Sequence, residues 1–381
     1  MTEQNQQPAH FGGNAPQVPA SYHQNDEIDL KELFIALWNG KVTIIVTTVL
    51  FALVTVAYAL MAQQWWSSKA KVSSAQLQDM AAYQKQVKKF QPIFDIYQED
   101  GTVLVSEALD DFVDVDVLFK RFVDTFNSSD NKRHFLDSST EFQEYKAEMD
   151  IPTDLESEEV KDKVRKLYSE WFQKITAVAE DKKAEFSPYD LSFQSTTKKS
   201  SYSLMNEYLN VIGAKTRTDA LNNLQAVVDS KRNELVQQKR ILESQARNRI
   251  EVEVERAQYA LDIAKAASVD TPIQSYNDKE IFSIDLGTKG LAAKVKALES
   301  IDNLSVIEPR LQQIDAKLEM LKDLKIDRNI QFQTFRFLEN VEQPISRDKP
   351  KRALIVVLGA LLGGMLGIAI VLIRYAFRKE S

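Results

Sequence analysis

Two long uncharged runs of apolar residues lie near the ends of the chain, at 42–62 and 353–373. Each run has 21 residues, and at about 1.5 Å per residue a helix of that length reaches roughly 30 Å, the thickness of the hydrocarbon core of a bilayer. Trp65 and Trp66 follow the first run, where an interfacial aromatic belt would lie. The pattern predicts two transmembrane helices with both tails on the same side of the membrane. The predicted divisions are an N-terminal tail 1–41, a first transmembrane helix 42–62, a large domain 63–352, a second transmembrane helix 353–373 and a C-terminal tail 374–381.

The second apolar run contains glycines at a regular spacing. Gly359, Gly363 and Gly367 are four residues apart and share one helix face, with Gly364 beside them. Small residues at this spacing let two helix backbones approach closely in lipid. The spacing therefore predicts a packing and coupling face. Its partner is the first transmembrane helix, a second protomer or another membrane protein.

The segment that leads into this helix is stiff and basic. Pro344 and Pro350 restrict the backbone and prevent a preceding strand from continuing. Lys349, Lys351 and Arg352 are expected to contact phosphates at the membrane surface. We expect the segment to set the angle at which the chain meets the bilayer.

Between the two runs, residues 217–267 contain neither proline nor glycine and predict one long helix. A narrow apolar stripe buries too little surface to hold such a helix alone, so it needs partner helices. We expect 291–325, which has helical periodicity interrupted near Pro309, to supply some partners, and neighbouring protomers the rest. The residues of this predicted oligomer seam are Leu221, Val228, Leu235, Leu242, Ile250, Val254 and Leu261.

Shorter patterns predict an α+β domain. Residues 26–41 are amphipathic, with Asp26 as the expected cap, and 138–182 are charge-rich and helical in pattern, with a turn at 151–153. Alternating apolar positions predict strands at 113–117, 189–193 and 330–334. Because strands occur near both ends of the domain, we expect one membrane-proximal α/β base that gathers both ends, with the long helices extending from it.

Composition and motifs exclude several classes of chemistry. The chain has 381 residues, a net charge of -7, no cysteine and three histidines, which argues against nucleic-acid binding, disulfides and histidine or thiolate metal sites. The stretch 213–216 lacks the glycines of a phosphate-binding loop, and a serine triad has no well-placed base. Carboxylate pairs lie in solvated charge runs. We expect no catalytic, cofactor or metal site. Five basic residues flank the spans on the tail side and seven on the domain side, so charge alone leaves the orientation open.

Several local motifs together resemble one family. They are 26–30 before the first span, the long helix ending at residue 267, the glycine-containing turn 286–291, Pro344 with Pro350, and the glycine-rich second span. The chain resembles, over nearly its whole length, the Wzz-type polysaccharide co-polymerases, the chain length determinants of bacterial surface polysaccharides. The run 347–352 is more basic and less rich in proline than the family pattern.

The resemblance implies an inner-membrane protein with a periplasmic domain and cytoplasmic termini. It implies a ring-like homo-oligomer without catalytic activity or cofactor. Such a protein sets how many repeat units a Wzy-type polymerase adds to a lipid-linked glycan, most commonly the O-antigen of lipopolysaccharide. The short tail 374–381 carries no nucleotide-binding loop, so the branch fused to tyrosine kinases is not expected.

Three other classes compete with this interpretation. A two-span sensor would need an output domain, for which tails of 41 and 8 residues leave no room. A periplasmic adaptor or scaffold of an export or efflux system shares helical hairpins but usually has one membrane anchor. An enzyme acting on periplasmic glycan would need paired carboxylates in a pocket.

Overall fold

The structure of the protein is a computed structural model that describes residues 30–98, 100–149, 157–184, 187–273 and 281–379. Its contacts divide the chain after Gln63 and before Lys349 into two units. One unit holds the apolar helices and the other is the domain between them. The cap expected at Asp26 and the turn expected at 151–153 lie outside the described residues.

Helices and strands both occur, which confirms the α+β class and the two apolar helices flanking a large domain. The helices of the described chain are Leu30–Asn39 (α1), Lys41–Met61 (α2), Leu77–Lys88 (α3), Gln91–Phe94 (α4), Asp110–Val113 (α5), Val115–Asn127 (α6), Ser129–Ser138 (α7), Thr140–Glu148 (α8), Glu158–Phe172 (α9), Lys198–Ala266 (α10), Gly287–Glu299 (α11), Arg310–Asp323 (α12) and Arg352–Lys379 (α13). The strands are Trp66–Ser74 (β1), Ile96–Tyr97 (β2), Val103–Leu104 (β3), Ile175–Ala179 (β4), Tyr189–Ser195 (β5) and Phe335–Glu342 (β6).

The domain is built on a four-stranded antiparallel sheet with the order β4-β5-β1-β6. β1, which follows the first apolar helix in sequence, lies between β5 and β6, and β6 is the last strand before the second apolar helix. Its register pairs Ala70 with Leu191 on β5 and Val72 with Phe337 on β6. The prediction that one sheet gathers both ends of the domain is confirmed.

Of the three predicted strands, only 189–193 is confirmed, as part of β5. The strand at 113–117 is wrong, because Asp114 caps a helix there: its carboxylate accepts hydrogen bonds from the backbone N–H groups of Asp116 and Val117. The strand at 330–334 is also wrong, because pairing begins only at Phe335. Phe332 is buried and stacks on Tyr83 with the ring centroids 4.5 Å apart, so side-chain packing accounts for the alternation before the strand.

The long helix α10 has 69 residues and begins at Lys198, well before the predicted start at residue 217. At 1.5 Å per residue it extends about 100 Å. Thr197 caps its first turn by accepting a hydrogen bond from the backbone N–H of Ser200 at 3.0 Å. Gly213 lies inside the helix, where an added Cβ would have no neighbour closer than 3.7 Å. A glycine in the sequence was therefore a poor marker of the helix boundary.

Two large hydrophobic clusters occupy successive parts of α10. The first 15 residues of the helix pack with the sheet and with α6, α7 and α9, around aromatic side chains such as Trp171 and Tyr208. The middle of the helix packs with α3, α4, α5 and α12. A small third cluster joins the end of α10 to α11 through Leu261 and Leu291. The periodicity predicted for 291–325 is confirmed by α11 and α12, which are separate helices on either side of Ile307.

The predicted oligomer seam needs a different interpretation. Leu221, Val228, Leu235 and Leu242 are buried in the second cluster, against residues such as Leu311 and Ile314 of α12. The chain folds back along α10, so these four side chains are core positions within one protomer. Leu261 is covered by α11, while Ile250 and Val254 are only half-buried.

Candidate functional site

The candidate site is the unit formed by the two apolar helices. The two candidate membrane spans are Lys41–Met61 and Arg352–Phe377. Both helices are long and apolar enough to cross a membrane. They flank the large domain in sequence, and they pack against each other within one chain.

The glycine face of α13 lies directly against α2. Gly359, Gly363 and Gly367 are all buried, whereas Gly364 is half-buried. An added Cβ at Gly359 would lie 2.8 Å from the Cβ of Thr55, and one at Gly367 would lie 2.8 Å from the Cα of Ile44. These distances are too short for carbon atoms, so the two backbones meet at a separation that only glycine permits. The sequence left three partners open, and in this structure the first apolar helix of the same chain is the partner.

The opposing face of α2 is rich in threonine. The hydroxyl of Thr48 donates to the carbonyl of Ile44 at 2.7 Å, and that of Thr55 donates to the carbonyl of Phe51 at 3.0 Å. Thr47 bonds in the same way to carbonyls of its own helix. The hydroxyls are thus satisfied within α2, which removes the cost of placing them in an apolar contact. Sequence reasoning missed this face, although small residues seven apart, at Thr48 and Thr55, were a usable signal.

A further close approach occurs at Gly40, between α1 and α2. An added Cβ there would lie 3.1 Å from the Cβ of Val371, which is buried on α13. The contact lies one helical turn beyond the glycine face along α13. Gly40 therefore extends the set of glycine contacts, and it was not among the predicted residues.

The basic approach segment divides into residues with different partners. Arg352 is half-buried, and its Nε donates to the carbonyl of Ala59 at 3.0 Å. That carbonyl belongs to the last turn of α2, where carbonyls have no partner within the helix and a cation is favoured. Lys349 and Lys351 are exposed. Arg352 therefore caps a membrane helix, and the two lysines are the cations that face outward.

The prolines of this segment lie on either side of a contact within the domain. Pro344 follows β6 and Pro350 precedes α13, and both are half-buried. Between them, the backbone N–H of Asp348 donates to the carbonyl of Trp65 at 2.9 Å. The Asp348 carboxylate also accepts from the amide of Gln194 at 3.2 Å. The segment is thus held to β5 and to Trp65, the residue immediately before β1.

The site is made of closely packed helices. Within the described ranges, no group of three His, Asp or Glu side chains is arranged to hold a metal ion. His134 is exposed and lies 3.7 Å from a carboxylate oxygen of Asp130 on the same helix. The arrangement of the paired helices can fix the position of two membrane segments and present their outer faces to a partner.

Comparison with known proteins finds similarity to chain length determinants. The family model described as chain length determinant protein (Wzz) matches residues 26–114, and a model of a G-rich domain (GNVR) matches 310–376. The chain is similar to the ferric enterobactin transport protein FepE of Escherichia coli strain K12, with 27% identity covering 98% of this chain and 94% of that protein. It is also similar to the ECA polysaccharide chain length modulation protein of the same strain, with 24% identity over 94% of this chain and 97% of that one.

Among solved structures, the fold is similar to that of a full-length bacterial polysaccharide co-polymerase. The TM-score is 0.56 at 22% sequence identity, over 92% of this chain and 99% of that one. The matching family models, the relatives similar along their whole length and this fold together confirm the expected resemblance to the Wzz-type chain length determinants, the polysaccharide co-polymerases.

Proposed function

We propose that this protein sets the modal length of a bacterial surface polysaccharide, with the O-antigen of lipopolysaccharide as the first candidate. It acts in the inner membrane with a Wzy-type polymerase, with residues 63–352 in the periplasm and both termini in the cytoplasm. It makes and breaks no bond itself, and the polymerase carries out the glycosyl transfer. The description of the family model and the name of the ECA relative support control of chain length, whereas FepE is named for ferric enterobactin transport. The glycan named for the ECA relative is not the O-antigen, so other surface glycans are tested as well.

The observation that carries this proposal is the close pairing of α2 with α13. Because the glycine face is filled by α2, contact with the polymerase must use the outward faces of the pair. Those faces carry large exposed side chains such as Leu53 and Val54 on α2 and Leu361 and Leu362 on α13. A rigid pair presents these side chains in one fixed arrangement, as recognition of a second membrane protein requires.

Several copies of the chain act together in this proposal. α10 retains apolar side chains that are largely exposed in one chain: Val252, Tyr259 and Ile263 are between 44% and 56% exposed. Exposed apolar positions along one long helix are typical of a surface that meets another protomer. We place the contact between protomers at these residues instead of at the buried seam.

The outward lysines contribute a separate contact. Lys349 and Lys351 lie immediately before α13 and are exposed. Ammonium groups at the end of a membrane helix interact favourably with lipid phosphates. We propose that they bind headgroup phosphates, or the pyrophosphate of the lipid-linked glycan when it is present.

The first test is a lipopolysaccharide gel ladder from cells with the gene deleted and then restored. Deletion is expected to replace a modal cluster of bands by an unregulated spread, and restoration to recover the cluster. The chain lengths of the ECA polysaccharide and of capsular polysaccharide are measured in the same cells, because the similarity to chain length determinants does not specify the glycan. Unchanged length distributions for every polymer would refute the proposed function.

A second test addresses the paired helices. Restoration with Gly359, Gly363 and Gly367 all changed to Leu is expected to leave the domain folded but fail to recover the modal cluster. Gly364→Leu is the matched control, because an added Cβ there would lie 3.6 Å from the Thr48 hydroxyl, an ordinary contact. Normal chain length with the triple variant would contradict the role of the pair.

A further inference from the structure

A groove with a volume of about 540 Å³ lies between α10, α12 and the segment that joins α4 to β2. Its floor is apolar and comes from Leu235 and Leu242 of α10 and Ile314 of α12, which are all buried. Phe94 and Ile96 also line the groove. The volume is in the range of known ligand sites, about 300–1,000 Å³.

The rim of the groove carries side-chain amides. Gln238 donates to the Glu234 carboxylate at 2.8 Å. Gln245 and Gln313 also line the groove, and within the described chain neither side chain has a hydrogen-bond partner. An amide offers both a donor and an acceptor, which suits a ligand covered with hydroxyl groups.

An aromatic ring and an ammonium group stand together at one side. Tyr97 is 41% exposed, and the Nζ of Lys317 lies 5.6 Å from the centre of its ring. The same Nζ donates a hydrogen bond to the carbonyl of Asp95. An exposed ring next to a fixed cation is a platform on which a flat, partly apolar ligand can stack.

Lys317 differs from the other cations of the groove in its partners. Lys231 is paired with Glu234 at 2.9 Å, and Arg310 with Glu308 at 2.6 Å. Lys317 forms no ion pair with a carboxylate in the part of the chain that the structure describes. Burial, together with the nearby Lys231, lowers the pKa of Lys317 from its ordinary value. The carboxylates of Asp95 and Glu234 oppose that shift, but among the described residues neither lies within ion-pair distance of the Lys317 ammonium. An anionic group in the groove would therefore meet an ammonium that has no carboxylate paired with it.

We propose that this groove binds a segment of polysaccharide that contains an acidic sugar. One pyranose face packs on Tyr97, its hydroxyl groups bond to Gln245 and Gln313, and a sugar carboxylate pairs with Lys317. A wholly apolar ligand would leave the amides unused, and a neutral glycan would leave Lys317 unpaired. The inference rests on the proposed function, since it makes the growing glycan a direct ligand of the regulator.

The test uses the full chain in lipid nanodiscs and two defined probes, a hexamer of galacturonate and the neutral maltohexaose. Binding is measured by calorimetry and by saturation-transfer NMR. The galacturonate hexamer is expected to bind at least about tenfold more tightly than maltohexaose. Tyr97→Ala and Lys317→Gln are each expected to weaken it about tenfold, while Tyr97→Phe and Lys317→Arg retain most of it.

Lys322→Gln is the matched control, because Lys322 is also on α12 but is exposed and paired with Glu319 at 2.6 Å. It should leave binding unchanged. The proposal is overturned if neither probe binds, if both bind equally, or if the Tyr97 and Lys317 variants bind as the native chain does. It is also overturned if these variants change only the mass of the oligomer, because the groove would then be a contact with a second copy.

Chain-length measurements in cells distinguish failure of this inference from failure of the proposed function. If deletion of the gene alters a polymer but Lys317→Gln restores normal length and binds the hexamer normally, only the groove assignment fails. If deletion alters no polymer, the proposed function fails, whatever the groove binds.

Discussion

The contact of Gly363 with α2 allows a quantitative test with a single methyl group. A Cβ added at Gly363 would lie 2.7 Å from the Cβ of Phe51, 2.9 Å from the Cα of Thr48 and 3.0 Å from the carbonyl oxygen of Thr47. Carbon atoms pack best at about 3.5–4.0 Å. Two of the three neighbours are backbone atoms, which cannot rotate away, so α2 and α13 must separate in Gly363→Ala.

The expected cost follows from overpacking a close contact. Forcing one extra carbon into a packed site typically costs about 1–3 kcal/mol. Gly364→Ala is the internal reference, because its Cβ would meet only the Thr48 hydroxyl at 3.6 Å. Both changes alter helix propensity equally, so their difference isolates the clash. The equilibrium between paired and separated helices should differ about 5- to 150-fold between the two variants.

The assay uses the absence of cysteine from the native chain. Cysteines introduced at Ala62 and Lys351 carry a donor and an acceptor dye, because the two helices meet near these positions through the bond from Arg352 to the carbonyl of Ala59. Energy transfer is followed in mixed micelles as the fraction of SDS rises. Gly363→Ala should lose transfer at a clearly lower SDS fraction than Gly364→Ala. Equal midpoints for the two variants would refute the close packing of the glycine face.

Three further predictions concern the domain. Tyr208→Phe removes the 2.6 Å hydrogen bond to the carbonyl of Phe126 and should lower the free energy of unfolding in urea by about 1–2 kcal/mol. Because burial raises the pKa of Tyr208, the native chain should also lose more stability than this variant as the pH rises above about 10. Equal losses in the two proteins would show that ionisation of Tyr208 is not the cause. Leu235→Ala should cost about 2–5 kcal/mol in the same assay, whereas the control Ile241→Ala, at an exposed position, should cost less than about 0.5 kcal/mol. Gly287 has a φ of +67°, and an added Cβ would lie 2.8 Å from a backbone carbon, so an alanine there would be strained. Gly287→Ala should therefore speed amide hydrogen exchange in α11. Unchanged exchange would refute the strain.

The roles of the basic residues show where a sequence pattern stops being informative. Three basic residues flank Pro350 in the sequence, namely Lys349, Lys351 and Arg352, and the sequence pattern alone does not distinguish their roles. In the structure Arg352 donates a hydrogen bond to the carbonyl of Ala59, and the two lysines are exposed. The carbonyl that Arg352 meets is almost 300 residues away in the chain, so no local rule can identify it.

The strand prediction at 113–117 failed for a local reason. Val113, Val115 and Val117 alternate with aspartates, which favours a strand over five residues. The helical spacing of Phe119, Phe122 and Phe126 continues further, and a cap at Asp114 starts the helix. A longer periodic segment buries more surface than a short one, so the helix prevails.

The sequence by itself determined the two membrane helices, the α+β class and the existence of a very long helix. Each depends on a length or a period that a local stretch contains in full, such as an uncharged run as long as a bilayer is thick. Only the tertiary structure decided what lies against each predicted face. The glycines of α13 meet the threonines of α2, and the apolar stripe of α10 meets α12 of its own chain. A period shows which residues point the same way, but the partner on that side comes from a distant part of the chain and is chosen by packing.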